Sequence, residues 1–130
     1  MESTLTSAKT NEKMGKNVIL IVDDEKEILT MLSRFLKRRG YEVVTAATIA
    51  EGKACVKTSY PDIVFLDVNL PDGNGLQAVP DFMVLKPNLS IILMSAFSDS
   101  GIQAAAKERG ASGFLSKPFS LESINQMLER

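Results

Sequence analysis

The chain has 130 residues, with 16 acidic and 15 basic side chains (net charge -1), no histidine and a single cysteine. That length supports one domain, and the near-cancelling charge with no basic stripe excludes the footprint of a nucleic-acid binder. The lone Cys55 and the missing histidine exclude an internal disulfide, a zinc-type ligand cluster and histidine chemistry supplied by this chain, which suits a reducing cytosol.

No apolar run approaches the roughly 20 residues of a bilayer span, and the N-terminus lacks an apolar signal core, so a cytoplasmic protein with no membrane contact is expected. Residues 1–16 are polar and aperiodic and read as a mobile tail, native or a cloning remnant, ahead of a domain over 17–130. Asn17 to Val22, apolar from Val18 on, is a run of the kind that forms a strand buried on both faces, and it ends abruptly in Asp23-Asp24. Asp24 with Glu27 predicts an acidic cap for a first helix, whose Ile28, Leu32, Phe35 and Leu36 recur at helical spacing. Lys37, Arg38 and Arg39 suit the negative end of that helix, and Gly40 stops it.

Tyr41 to Thr45 predicts a short strand, and Thr48-Ile49-Ala50-Glu51 a capping box that opens a second helix to about Lys57. Gly52 weakens that helix. Ile63 to Leu66 is a second buried-strand run ending in Asp67, followed by the turn-rich Pro71, Asp72, Gly73, Asn74 and Gly75. Leu76 to Leu85 predicts a third helix with a kink or late start at Pro80. Leu89 to Met94 predicts a strand ending at Ser95, and Ser98 or Asp99 caps a fourth helix with Ile102, Ala105 and Ala106 facing inward before Gly110. Ala111 to Leu115 predicts a last strand ending at Ser116-Lys117-Pro118, and Ser120 caps a last helix with Leu121, Ile124 and Leu128 on one side.

Strand then helix, five times over, predicts an α/β fold with a parallel sheet, right-handed crossovers and helices on both faces. In that arrangement Asp23, Asp24, Asp67, Ser95 and Lys117 converge on the edge formed by the strand C-termini, where ligands bind open α/β sheets. Clustered carboxylates repel unless they share a cation. Magnesium fits best, because it takes oxygen ligands, keeps several waters and uses one or two carboxylates plus a phosphate oxygen. Lys117 can act as a point charge on a phosphoryl group and Ser95 can donate to another of its oxygens. Asp67 is then placed as a nucleophile that accepts phosphoryl. Taken singly, Asp24 reads as a helix cap, Lys117 as a solvated lysine and Ser95 as a strand-end polar group; only their conjunction carries the chemistry.

Asp23-Asp24, Asp67 followed by Leu70-Pro71-Asp72-Gly73 and Gly75, Ser95-Ala96 and Lys117-Pro118 together resemble the receiver domain of two-component response regulators, across nearly all of 17–130. The resemblance implies a (βα)5 flavodoxin-like, doubly wound fold with strand order 2-1-3-4-5. It also implies phosphorylation of Asp67 by a sensor histidine kinase, with magnesium held by Asp24, Asp67 and the backbone carbonyl of Asn69 and with Asp23 acting through water. Ser95 and Phe114 would form the switch pair, Lys117-Pro118 would be a cis peptide, and Phe97 stands where side chains tune loss of the phosphoryl group. The implied function is a phosphorylation-activated signalling switch, not an enzyme beyond its own phosphorylation and dephosphorylation. It would act on an output domain or partner in transcription regulation, with a weak or phosphorylation-dependent homodimer. Alternative readings are a magnesium-dependent phosphatase with an aspartyl-phosphate intermediate, which usually needs a second acid where Asn69 stands, and a flavin-binding domain, whose phosphate Asp23-Asp24-Glu25 would repel. A degenerate receiver acting only as an interaction module is the third.

Overall fold

A computed structural model describes residues 17–97 and 99–129, so the expected tail over 1–16 and the Ser98 cap lie outside the described residues. The chain runs β1 (Val18–Val22), α1 (Lys26–Arg38), β2 (Glu42–Ala46), α2 (Ile49–Ser59), β3 (Ile63–Asp67), a small hairpin of β4 (Asn69–Leu70) and β5 (Gly73–Asn74), α3 (Gly75–Leu85), β6 (Ser90–Ser95), α4 (Ser100–Glu108), β7 (Gly113–Ser116) and α5 (Leu121–Leu128). The main sheet has five strands in the order β2-β1-β3-β6-β7, which is the expected 2-1-3-4-5 once the hairpin is set aside, and its pairings are all parallel.

Successive strand residues point to opposite faces, so the unbroken apolar runs feed two separate cores. Leu20, Val22, Val64, Leu66, Ile91 and Leu93 pack on one face with Val56 of α2, Phe82 of α3 and Ala106 of α4. Ile19, Ile21, Phe65, Ile92 and Met94 pack on the other with Leu32 and Leu36 of α1 and Ile124 of α5. Each of these side chains larger than alanine contributes about 1.5–3 kcal/mol by leaving water. Two cores sharing one sheet hold its central strands on both sides, which fixes where their C-terminal ends emerge.

Several local expectations are corrected. Helix α1 begins at Lys26 with Glu25 at its N-cap and no side-chain cap, so Asp24 does not cap it; instead Asp23 accepts the Glu25 amide at 2.8 Å. Strand β2 ends one residue later than expected and β7 starts two residues later. Helix α2 forms fully despite Gly52, because that glycine is where the helix presses on β1 and α3: an added Cβ would lie 2.9 Å from Val22 and 3.2 Å from Phe82. Helix α3 starts at Gly75 and runs on through Pro80, so the late start does not occur. Leu121 is 48 % exposed, and Met127 joins Ile124 and Leu128 against the core in its place. Asp99 and Ser120 cap α4 and α5 as expected and Thr48 caps α2, but the expected box there does not close, because Glu51 accepts the Ala47 amide instead of that of Thr48; Gly40 and Gly110 follow α1 and α4 with positive φ. Among the described residues no helix is long and apolar enough to cross a membrane.

Candidate functional site

Parallel strands start and stop in register, so the residue after each buried run emerges at one edge. Asp23 follows β1, Asp67 ends β3, Ser95 ends β6 and Lys117 follows β7; β3 pairs with β6 at Asp67 and Met94, and β6 with β7 at Ser95 and Ser116. The Lys117 amide donates to the Ser95 carbonyl at 2.8 Å, and Lys117-Pro118 is a cis peptide. The Lys117 side chain turns back over the sheet edge. Its Nζ donates to Asp23 Oδ2 at 2.9 Å and to Glu25 Oε1 at 2.7 Å, and lies 3.4 Å from Asp67 Oδ1. Asp23 is fully buried, while Asp67 and Ser95 are 5 % and 1 % exposed. A lysine reaching three carboxylates across three strand ends satisfies the requirement that buried charge be paired.

The loop after β3 is shaped by backbone contacts. Gly75 donates its amide to the Val68 carbonyl at 2.7 Å, and a Cβ there would lie 2.1 Å from the Asp67 carbonyl oxygen, so only glycine allows the loop to return this closely. Asn74 caps α3 by accepting the Gln77 amide. Asp72, at the tip of the hairpin, accepts the amides of Ile49 and Ala50 at 2.9 and 3.0 Å and so caps α2 from a different element. Those two bonds hold its carboxyl below the ordinary range.

The electrostatics of the acidic edge are lopsided. Burial, followed by the Asp23 charge, pushes the Asp67 carboxyl up from 3.8 to about 6 against the opposing pull of Lys117 and a hydrogen bond from the Asn69 amide. Burial works against the Lys117 charge, but the hydrogen bonds it donates to Glu25 and Asp23 and the charges of Asp23 and Asp67 overcome it and raise the ammonium above its ordinary value. At neutral pH the site therefore holds an ionised Asp67 whose charge is costly and a lysine that stays protonated.

A cleft of about 570 Å³ opens on this edge, lined by Asp24, Glu25, Asp67, Asn69, Ala96 and Lys117 among others. Carboxylate oxygens of Asp23, Glu25 and Asp67 lie within 4.8 Å of one another. Hard oxygen donors at that spacing, beside a cleft, fit a small divalent cation. Asp24 is exposed and stands in the cleft wall outside that trio. Ser95 points its Oγ at its own loop, accepting the Phe97 amide at 3.0 Å, and Phe97 itself is 69 % exposed. Phe114 is half-buried against the core shared with α3 and α4. Two participants escaped the sequence reading. Glu25 is the first residue before α1 and its adjacency to Asp23-Asp24 was a usable signal; the Asp72 contact to α2 joins residues more than twenty apart, which no local pattern encodes.

The family described as response regulator receiver domain matches this chain over residues 19–129. The chain is 37 % identical over 120 residues to the chemotaxis protein CheY of Thermotoga maritima, covering 90 % of this chain and 98 % of that protein. It is 37 % identical over 117 residues to the DNA-binding transcriptional regulator NtrC of Azospirillum brasilense, covering 90 % of this chain but 24 % of that protein. A chain in the crystal structure of the CheX-CheY-BeF3-Mg+2 complex from Borrelia burgdorferi superposes with a TM-score of 0.82 at 27 % identity, covering 86 % of each chain. The chain thus spans nearly all of one relative and about a quarter of another.

Proposed function

The chain belongs to the response regulator receiver domain family, and from that premise we propose that Asp67 is its phosphoacceptor, taking a phosphoryl group from a sensor histidine kinase in a magnesium-dependent reaction. The observation that carries the reading is the Lys117 ammonium poised 3.4 Å from Asp67 and 2.9 Å from Asp23 on the edge of a cleft. An ionised Asp67 oxygen attacks phosphorus, the bond from phosphorus to the donor's histidine nitrogen breaks, and its electron pair leaves with the imidazole. Water later cleaves the acyl phosphate, returning the carboxylate and inorganic phosphate. Although its carboxyl is pushed up to about 6, Asp67 is still mostly ionised at neutral pH, so it can act as a nucleophile without a separate base.

Asp24, Asp67 and the Asn69 backbone carbonyl would hold the ion, with Asp23 through water; Glu25, beside them, is held by Lys117. When bound, magnesium supplies positive charge to the carboxylates and to a phosphate oxygen. The Borrelia burgdorferi structure, with both beryllofluoride and magnesium in its description, supports the pairing of ion and phosphoryl-like group in a similar fold. Lys117 binds a phosphoryl oxygen and balances its charge. Ser95 breaks its bond to the Phe97 amide, turns to the phosphoryl group, and Phe114 fills the space behind it. Moving such an equilibrium from 1:99 to 99:1 needs about 5.5 kcal/mol. Two new bonds to a charged phosphoryl, at roughly 1.5–3 kcal/mol each, supply most of it. The change reaches the surface of α4, β7 and α5 and, through it, an output segment or partner in transcription regulation. Intact mass after incubation with magnesium and acetyl phosphate tests the reading: the protein gains one phosphoryl group and Asp67→Asn gains none. Equal gain in both would refute it.

A further inference from the structure

We infer that Glu25 is a latch on Lys117: a positioning residue that ties up the ammonium while Asp67 is bare and releases it when a phosphoryl group arrives. The inference deepens the reading of Asp67 as phosphoacceptor and rests on it. An ammonium carries three donors. Here the shortest contact goes to Glu25 Oε1 at 2.7 Å, the next to Asp23 Oδ2 at 2.9 Å, while Asp67 Oδ1 stands at 3.4 Å, beyond the usual range for a direct bond. The lysine that must serve Asp67 is thus bound more closely to its two neighbours.

Those two partners differ in how firmly they hold. The Asp23 side chain is fully buried, and its other oxygen is already fixed by the Glu25 amide at 2.8 Å. The Glu25 side chain is 57 % exposed and sits just ahead of α1. An exposed ion pair is weak and screened by salt, whereas a phosphoryl group on Asp67 brings nearly two charges and three acceptor oxygens to the sheltered side of the same ammonium. Lys117 therefore keeps Asp23 and exchanges Glu25 for the phosphoryl oxygen. The exchange also frees the Glu25 carboxylate at the start of α1, so the site signals its state on the α1 side of the cleft.

The opposing account is that Glu25 serves the cation directly, since its oxygen lies within 4.8 Å of those of Asp23 and Asp67. The side-chain ammonium signal of Lys117 in nitrogen-15 NMR, assigned by its loss in Lys117→Met, separates the two. Without magnesium, the wild-type signal should exchange slowly with water and Glu25→Gln should speed that exchange. Adding magnesium and beryllofluoride should bring wild type and variant to a common signal. With acetyl phosphate at saturating magnesium, Glu25→Gln should be labelled about two- to fivefold faster, the range an exposed ion pair controls, with little change in magnesium affinity. An unchanged Lys117 signal in Glu25→Gln overturns the latch. Slower labelling with weaker magnesium binding also overturns it, and makes Glu25 a cation ligand. A wild type that takes up neither phosphoryl nor beryllofluoride overturns the reading of Asp67, and the release step with it, whatever Lys117 does.

Discussion

Asp67 is a residue whose charge opposes folding in the absence of a cation. Its carboxyl is raised to about 6 in the folded state, above the 3.8 of a free side chain, because of burial and then the Asp23 charge. The folded protein therefore binds this proton more tightly than the unfolded one. Its contribution favours folding below about pH 4 and is lost as pH rises through about 6. Replacing Asp67 with Asn removes the loss, so in chelator the Asp67→Asn variant should be more stable than wild type at pH 7 by about 1–3 kcal/mol, with the gap closing towards pH 4. Thermal melts across pH give the answer, and magnesium should raise the wild-type midpoint more than the variant's. At Gly75 the constraint is steric: a Cβ 2.1 Å from the Asp67 carbonyl oxygen forces the loop open. Gly75→Ala should cost about 1–3 kcal/mol and lower phosphoryl uptake, as measured by denaturant titration and intact mass. Asp67 and Lys117 were legible in the sequence because each ends a buried run, where a lone charge has one place to go. For Glu25 the sequence offers only its adjacency to Asp23-Asp24, while its contact to a lysine 92 positions away is not encoded in any local pattern.

Elements were legible to the degree that their burial is periodic or complete. The runs of β1, β3 and β6 are apolar throughout because helices cover both faces, and their ends were placed within a residue. The edge strand β7 is less buried, with the pattern of a single buried residue, and its start drifted by two residues. Helix α2 shows why propensity misled: Gly52 is poor for an isolated helix but lets α2 approach Val22 and Phe82. Gly52→Ala gains up to about 1 kcal/mol of helix propensity and loses more to overpacking. The net should be a destabilisation of about 1 kcal/mol by chemical denaturation; a more stable variant would show that the contact yields freely. The proposed switch also belongs to this scale. Ser95→Ala should bind beryllofluoride yet leave most amide shifts on α4, β7 and α5 unmoved, whereas full wild-type shifts in that variant would uncouple Ser95 from the surface.

The whole molecule reduces to a sheet packed between two cores, whose in-register strand ends deliver acids, a hydroxyl and an amine to one edge. That much followed from alternating buried runs and helical stripes, because a parallel sheet leaves its strand C-termini no other arrangement. What the sequence did not disclose is the apportioning of contacts within the edge: Lys117 tied to Glu25 and Asp23, Ser95 bound to the Phe97 amide, and Asp72 spent on capping α2. The site is thus arranged around the Lys117 ammonium, and under the proposed function both Lys117 and Ser95 exchange these partners for a phosphoryl group. The most direct measurement is borohydride trapping of the acyl phosphate after incubation with magnesium and acetyl phosphate, followed by peptide sequencing. The account predicts homoserine at position 67, dependent on magnesium; homoserine at Asp23 or Asp24, or none at all, would contradict it.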